Sequence, residues 1–127
     1  GATDNFCKRV EKLYNIKINV IFSGKEFPLT KTIETHIYRI IQELVNNVVK
    51  HSEAEVADVK INYDYPLIEV SVKDNGKGFS LKSVSKGIGL SNIDSRIRFM
   101  NGNFKKESSC DGSSFMIRVN LNEISEA

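Results

Sequence analysis

Cysteine and proline are scarce in this chain and long apolar runs are missing; each shortage removes a class of protein. The 127 residues include two cysteines and two prolines. Cys7 and Cys110 stand near opposite ends, a spacing that excludes a CxxC metal or redox motif and argues for no disulfide framework. No apolar stretch approaches the roughly 18 residues of a membrane span. The start, Gly1-Ala2-Thr3-Asp4, lacks the charged-then-apolar layout of a secretory signal. Charge of one sign is not in excess either. Eighteen Lys+Arg against 16 Asp+Glu leave +2, no electrostatic footprint for nucleic acid, and no direct nucleic-acid partner is expected. There is no repeat, low-complexity tract or linker. With 40% hydrophobic and 27% charged residues, the composition is that of a folded globular chain. One cytoplasmic domain over residues 1–127 is expected, with Gly1 and Ala2 compatible with a cloning scar.

Periodicity supplies the elements. Phe6, Val10, Leu13 and Tyr14 recur at helical spacing behind Asp4, so a helix over 4–14 with Asp4 as N-cap is expected. Residues 16–22 are β-branched and alternate, which predicts a strand. Ile33, Ile37, Ile40, Ile41, Leu44 and Val48 form one apolar stripe, which predicts a long helix over 30–51 capped by Thr30 or Thr32. Two strands, 56–65 and 67–73, flank an Asp64-Tyr65-Pro66 turn. A Gly-, Ser- and Lys-rich stretch covers 74–88 and a third helix covers 90–100. It ends at Asn101-Gly102-Asn103, before strands 103–108 and 113–121.

Strands that arrive in pairs joined by short turns pair antiparallel, and three amphipathic helices need one apolar face to rest on. The expected fold is therefore α+β. It is a two-layer α/β sandwich, with a mixed, mostly antiparallel sheet and three helices on one face.

On a helical wheel Glu43, Asn47 and Lys50 fall within about 60° of one another, beside the apolar stripe. Glu43 and Asn47, four residues apart, can direct oxygens at one point, as a hard cation such as Mg²⁺ or a polarised water requires. Lys50 is then available to anionic oxygens. The plainer alternative is a solvated face with an ordinary Glu–Lys neighbour pair. Asn46 reads as surface, and His36 and His51 read as structural, His51 beside the last helical carbonyls.

The segment Asp74-Asn75-Gly76-Lys77-Gly78-Phe79 follows directly on a strand. Its two glycines let backbone approach a ligand closely, and Asp74 offers a carboxylate acceptor suited to an exocyclic amine. Further on, Lys86-Gly87-Ile88-Gly89-Leu90 opens the third helix. Backbone N–H groups at a helix N-terminus make a natural anion site, and Lys77, Lys82 and Lys86 add positive charge. The spacing fits neither a Walker P-loop nor a Gly-x-Gly-x-x-Gly dinucleotide fingerprint.

Taken together, these segments resemble the ATP-binding domain shared by sensor histidine kinases, gyrase, Hsp90 and the MutL proteins, the GHKL superfamily with its Bergerat fold. Residues 42–51, Gln-Glu-Leu-Val-Asn-Asn-Val-Val-Lys-His, resemble its asparagine box. Residues 74–79 resemble its first glycine box and 87–90 its second. Tyr38-Arg39-Ile40-Ile41-Gln42-Glu43 is similar to bacterial histidine kinases. Residues 89–97 are similar to the short-lid group whose response regulators carry helix-turn-helix output domains.

The resemblance implies ATP and Mg²⁺ as cofactors, with roles for particular residues. Asn47 coordinates Mg²⁺, and Glu43 orients that site indirectly or acts as the catalytic base. Lys50 and His51 contact phosphate or ribose. Asp74 binds the adenine amino group on a floor shaped by Gly76 and Gly78. Lys86, Gly87, Gly89 and Leu90 frame the lid and the phosphates. The third glycine box is shortened to Gly112-Ser113-Ser114-Phe115, which points away from a contribution at that end, and the double glycine after the last helix is Asn101-Gly102.

The implied activity is transfer of the γ-phosphoryl to a histidine in two-component signalling. His36 precedes Ile37 and His51 precedes Ser52, whereas the family's acceptor precedes Asp or Glu on a dimerising helix. The acceptor is therefore expected on a separate dimerisation domain, and the chain is expected to be the C-terminal catalytic part of a dimeric, membrane-anchored sensor with a cognate response regulator. A non-catalytic nucleotide-binding module and an anti-sigma-factor-type serine kinase are the alternative readings.

Overall fold

The structure, a computed structural model, describes residues 2–52, 54–76, 90–109 and 112–123. In chain order these form α1 (Ala2–Tyr14), β1 (Lys17–Gly24), α2 (Lys31–Asn47) with a π-helical turn (Val48–Ser52), β2 (Val56–Asp64) and β3 (Leu67–Asp74). Then come α3 (Leu90–Phe99), β4 (Asn103–Ser109), β5 (Gly112–Asn120) and a 3₁₀ turn (Leu121–Glu123).

The five strands make one sheet in the order β1-β2-β3-β5-β4. Among the described residues, β1 and β2, joined through α2, pair parallel and the other neighbouring strands antiparallel. Register puts one residue type on one side. Val59 pairs with Val72 and Val72 with Phe115, while Ile61 pairs with Val70 and Val70 with Ile117. All of these are buried. The intervening Lys60, Glu69, Lys73 and Arg118 occupy the other face. There Arg118 Nε donates to Glu69 Oε1 at 2.7 Å. The α+β two-layer sandwich is thus as expected: the sheet is apolar where helices cover it and polar where it meets solvent.

α2 is the central helix. Ile33, Ile37, Ile40, Ile41 and Leu44 are all buried along it, and it packs on α1, α3 and β3. Thr30 is its N-cap, accepting from the Ile33 N–H at 3.3 Å. α1 adds Phe6, Cys7 and Val10 to the core, with Phe6 edge-on to Tyr38 at 6.3 Å. Burial first, then Asp4 and Glu11, push the Cys7 thiol up to about 11, so it is a packed apolar group and no nucleophile.

Two helix boundaries differ from the sequence reading. α1 begins at Ala2, which puts Asp4 inside the first turn instead of at the N-cap; a carboxylate there still complements the helix dipole. α2 ends as a regular helix at Asn47, where the backbone widens into the π turn.

α3 closes with a Schellman motif. Asn101 takes a left-handed φ of 52°, its N–H donating to Arg98 O at 3.0 Å and that of Gly102 to Ile97 O at 2.9 Å. A Cβ on Gly102 would crowd Arg118 O at 3.1 Å, so glycine lets the helix end seat against β5.

Side-chain burial ranks substitutions here. We expect Leu44→Ala, fully buried, to cost about 2–5 kcal/mol in urea unfolding, and Leu13→Ala, 76% exposed, to stay within about 0.5 kcal/mol.

Candidate functional site

Direction of the elements decides what meets where. Ile37 and Ile40 of α2 surround the same apolar gap as Ile68, Val70, Ile117 and Val119. From that shared level Asn47 lies about 10 Å further along the helix, and Asp74 about 13 Å further along β3. α2 joins the parallel strands β1 and β2 and so runs against β2 and along β3, and both residues reach the same end of the sandwich. α3 runs the other way. Its C-terminal Arg96 and Phe99 meet His36 in the first half of α2, so the helix begins, at Leu90, on the side of that same end. One rim of the domain thus collects the C-terminal end of β3, the exit of α2 and the entry of α3.

Asp74 is the chemical centre of this rim. It shares the inner face with Ile68, Val70 and Val72 and is only 4% exposed. A carboxylate there must be satisfied, and it is. Its Oδ1 accepts from the Gly76 N–H at 2.8 Å, and its Oδ2 accepts from the hydroxyl of Ser113, itself 3% exposed. Ser113 is the cross-strand partner of Asp74. Beside it Gly112 has a φ of 140°, and a Cβ there would lie 2.0 Å from the Asp74 carbonyl oxygen. Only glycine permits that approach. The shortened third box, from which the sequence alone predicts no firm contribution, takes part in holding this strand end: Ser113 holds the carboxylate and Gly112 lets β5 close on it. Only strand pairing reveals the contact, because the two residues stand 39 positions apart.

On α2, Glu43 is half-buried, Asn47 is buried and Lys50 is exposed. Asn47 is the last regular residue before the π turn, a feature frequent at functional sites. That wider turn carries Lys50 off the line that a 3.6-residue helix gives it. Lys50 is thus less tightly aligned with Glu43 and Asn47 than the wheel predicts. Asn46, expected on the surface, is half-buried. His51 belongs to the π turn by its backbone and Leu90 opens α3. Gly78, Lys86, Gly87 and Gly89 lie outside the described residues, while Gly76 is described and buried.

Among the described residues no cluster of three or more His, Cys, Asp or Glu forms. A cation at Asn47 and Glu43 would therefore complete its shell with phosphate oxygens and water, which suits Mg²⁺.

A family model described as histidine kinase-, DNA gyrase B-, and HSP90-like ATPase matches residues 32–123, and the chain belongs to that family. The histidine-protein kinase/phosphatase DegS of Bacillus subtilis (strain 168) is 32% identical over 117 residues, covering 85% of this chain and 30% of DegS. The oxygen sensor histidine kinase NreB of Staphylococcus carnosus (strain TM300) is 31% identical over 112 residues, covering 85% and 32%. The chain thus spans about a third of the length of these curated relatives. Among solved structures, the blue-light activated histidine kinase of Erythrobacter litoralis EL346 superposes with a TM-score of 0.80 at 14% identity, over 94% of this chain and 41% of that one. The mycobacterial sensor histidine kinase MprB gives 0.68 at 15% identity, over 92% and 90%. These likenesses establish the fold, and the sequence matches establish the family.

His36 has the structural place expected of it. Arg96 Nη1 donates to its Nδ1 at 3.0 Å, and its ring lies 4.6 Å from Phe99. Burial, then the Arg96 guanidinium, hold its pKa below 6.5. A folded pKa below the unfolded one binds fewer protons in the native state. Its stabilising contribution is then complete above pH 6.5 and lost as pH falls through the lowered value. We expect urea stability to decline as pH drops below 6.5, and more steeply in the wild type than in His36→Gln, whose side chain does not titrate.

Proposed function

We propose that this domain binds Mg-ATP at the rim shared by β3, α2 and α3, and transfers the γ-phosphoryl group to a histidine on a separate dimerisation domain. The observation that carries the reading is Asp74, a buried carboxylate fixed by Ser113 and Gly76. Two oxygens so held form a rigid acceptor for an amine, and adenine presents one. A guanine presents a carbonyl at the corresponding position and is refused, because two acceptors would face each other.

Distribution of groups along the rim fits the rest of the nucleotide. Asn47 would hold Mg²⁺, with Glu43 orienting that site or taking the proton from the attacking imidazole nitrogen. Lys50 and His51, with Lys86, Gly87 and Gly89 of the glycine-rich segment, would meet phosphate or ribose. Leu90 begins the helix whose N-terminal N–H groups favour an anion. When bound, the metal neutralises charge on the transferring phosphoryl group; the protein's own share is alignment of donor and acceptor.

His36 is engaged by Arg96 and Phe99, which supports an acceptor located elsewhere. The partners that follow are the dimerisation and phosphoacceptor domain of the same kinase and a cognate response regulator, with a helix-turn-helix output domain. The parent is a dimeric, membrane-anchored sensor with this domain in the cytoplasm.

Isothermal titration tests the reading. ATP is expected to bind in the micromolar to millimolar range with Mg²⁺, and Asp74→Asn to weaken it about 10- to 100-fold. Wild-type affinity in that variant would overturn the assignment. Labelled phosphate is expected to be absent from the chain alone. Acid-labile label should form once a dimerisation domain with its histidine is added, and acid-stable label would point to a hydroxyl acceptor instead.

A further inference from the structure

Between two buried residues of this rim stands an exposed one, Asn75. Its side chain Oδ1 accepts from two consecutive backbone N–H groups, those of Glu55 and Val56, each at 3.0 Å. Its own N–H donates to Val56 O at 3.2 Å.

The ladder explains what this side chain replaces. Lys17 N donates to Glu55 O at 2.9 Å, so in the alternating pattern Ala57 turns its backbone groups to β1 and Val56 turns its own to β3. Val56 is thus placed to form a hydrogen-bonded pair with Asn75, the next pair after Ala57 and Asp74. In a regular pair both N–H···O=C bonds form between backbones. Here one of them forms, and the acceptor for the Val56 N–H is the Asn75 carboxamide in place of its carbonyl. Asparagine imitates backbone in this way at turns. The strand is ended without leaving the Val56 N–H empty, and the chain is free to bend at residue 75. That bend aims the Gly76 N–H at Asp74 Oδ1.

We propose that Asn75 is a positioning residue for base recognition. Its carboxamide ends β3 at one place, and thereby sets the orientation of the Asp74 carboxylate relative to the segment leaving α2. This rests on the reading of Asp74 as the adenine-binding group. Without the carboxamide, the backbone carbonyl of residue 75 is the nearest substitute acceptor. Swinging it onto Val56 extends the ladder by one pair and draws Gly76 away from Asp74. The carboxylate then keeps Ser113 alone and rotates about that one bond. Glu55 is exposed, so water can serve its released N–H. The loss therefore falls on geometry more than on stability.

The test compares ATP and GTP binding with Mg²⁺ by titration calorimetry, beside thermal unfolding, for the wild type, Asn75→Ala, Asn75→Asp and Asp74→Asn. Asn75→Ala is expected to weaken ATP about tenfold and to lower the ATP-over-GTP preference by a similar factor, the scale of one lost oriented hydrogen bond. Asn75→Asp, which keeps the same oxygen toward both amides, is expected to stay within about threefold of wild type on both measures. Wild-type affinity and preference in Asn75→Ala overturn the proposal, as does a fall in melting temperature with the preference intact. Wild-type ATP affinity in Asp74→Asn overturns the base-recognition reading and this proposal with it. A loss there beside a wild-type-like Asn75→Ala overturns this proposal alone. If Asn75→Ala does not fold, Asn75→Ser decides on the same readouts, its hydroxyl being one bond too short to reach both amides.

Discussion

Asp74 has the same parity in its strand as Ile68, Val70 and Val72, and the domain depends on that shared parity. Side chains in a strand alternate faces, so the register that buries the three aliphatic residues also buries the carboxylate. Strand pairing then opposes Val72 to Phe115 and Asp74 to Ser113, so packing and polar satisfaction are settled by one alignment. A slip of one residue would put Lys73 and Ser71 under the helices and Asp74 in solvent. Core and site would be lost together.

The helices convert this sheet end into a rim. α2 brings Asn47 to the level of Asp74 because it advances in the same direction as β3, and its regular winding ends there. α3 returns antiparallel, and the Schellman motif at Asn101-Gly102 and the Arg96–His36 contact tie down its far end. A helix anchored at its C-terminus presents its N-terminus to the opposite end of the sandwich, where an anion is favoured.

Much of this was legible beforehand, for reasons tied to particular residues. Thr30 before Lys31 signals a helix start because its hydroxyl can serve an orphan N–H, and it does. The stripe from Ile33 to Val48 has a 3.6 period that a strand cannot bury on one side. Asp74 before two near glycines stood out by local chemistry. Asp4 misled, because a capping side chain is equally at home in the first turn. The π turn was invisible, since the apolar spacing up to Val48 fits a regular helix as well. The roles of Ser113 and Asn75 are not legible from neighbouring residues, for a different reason. Each acts on a group 19 to 39 positions away, and nothing beside either residue names that partner.

Local order in the chain by itself determined the element types, the apolar faces, the three motif segments and the choice of Asp74, because periodicity, caps and glycine steps are properties of neighbours. Only the tertiary structure decided that Ser113 and Gly76 hold that carboxylate, that Asn75 ends its strand, and that β3, α2 and α3 converge on one rim. Those facts arise from strand register and helix direction, which join residues far apart in sequence, and register is chosen by the whole sheet at once.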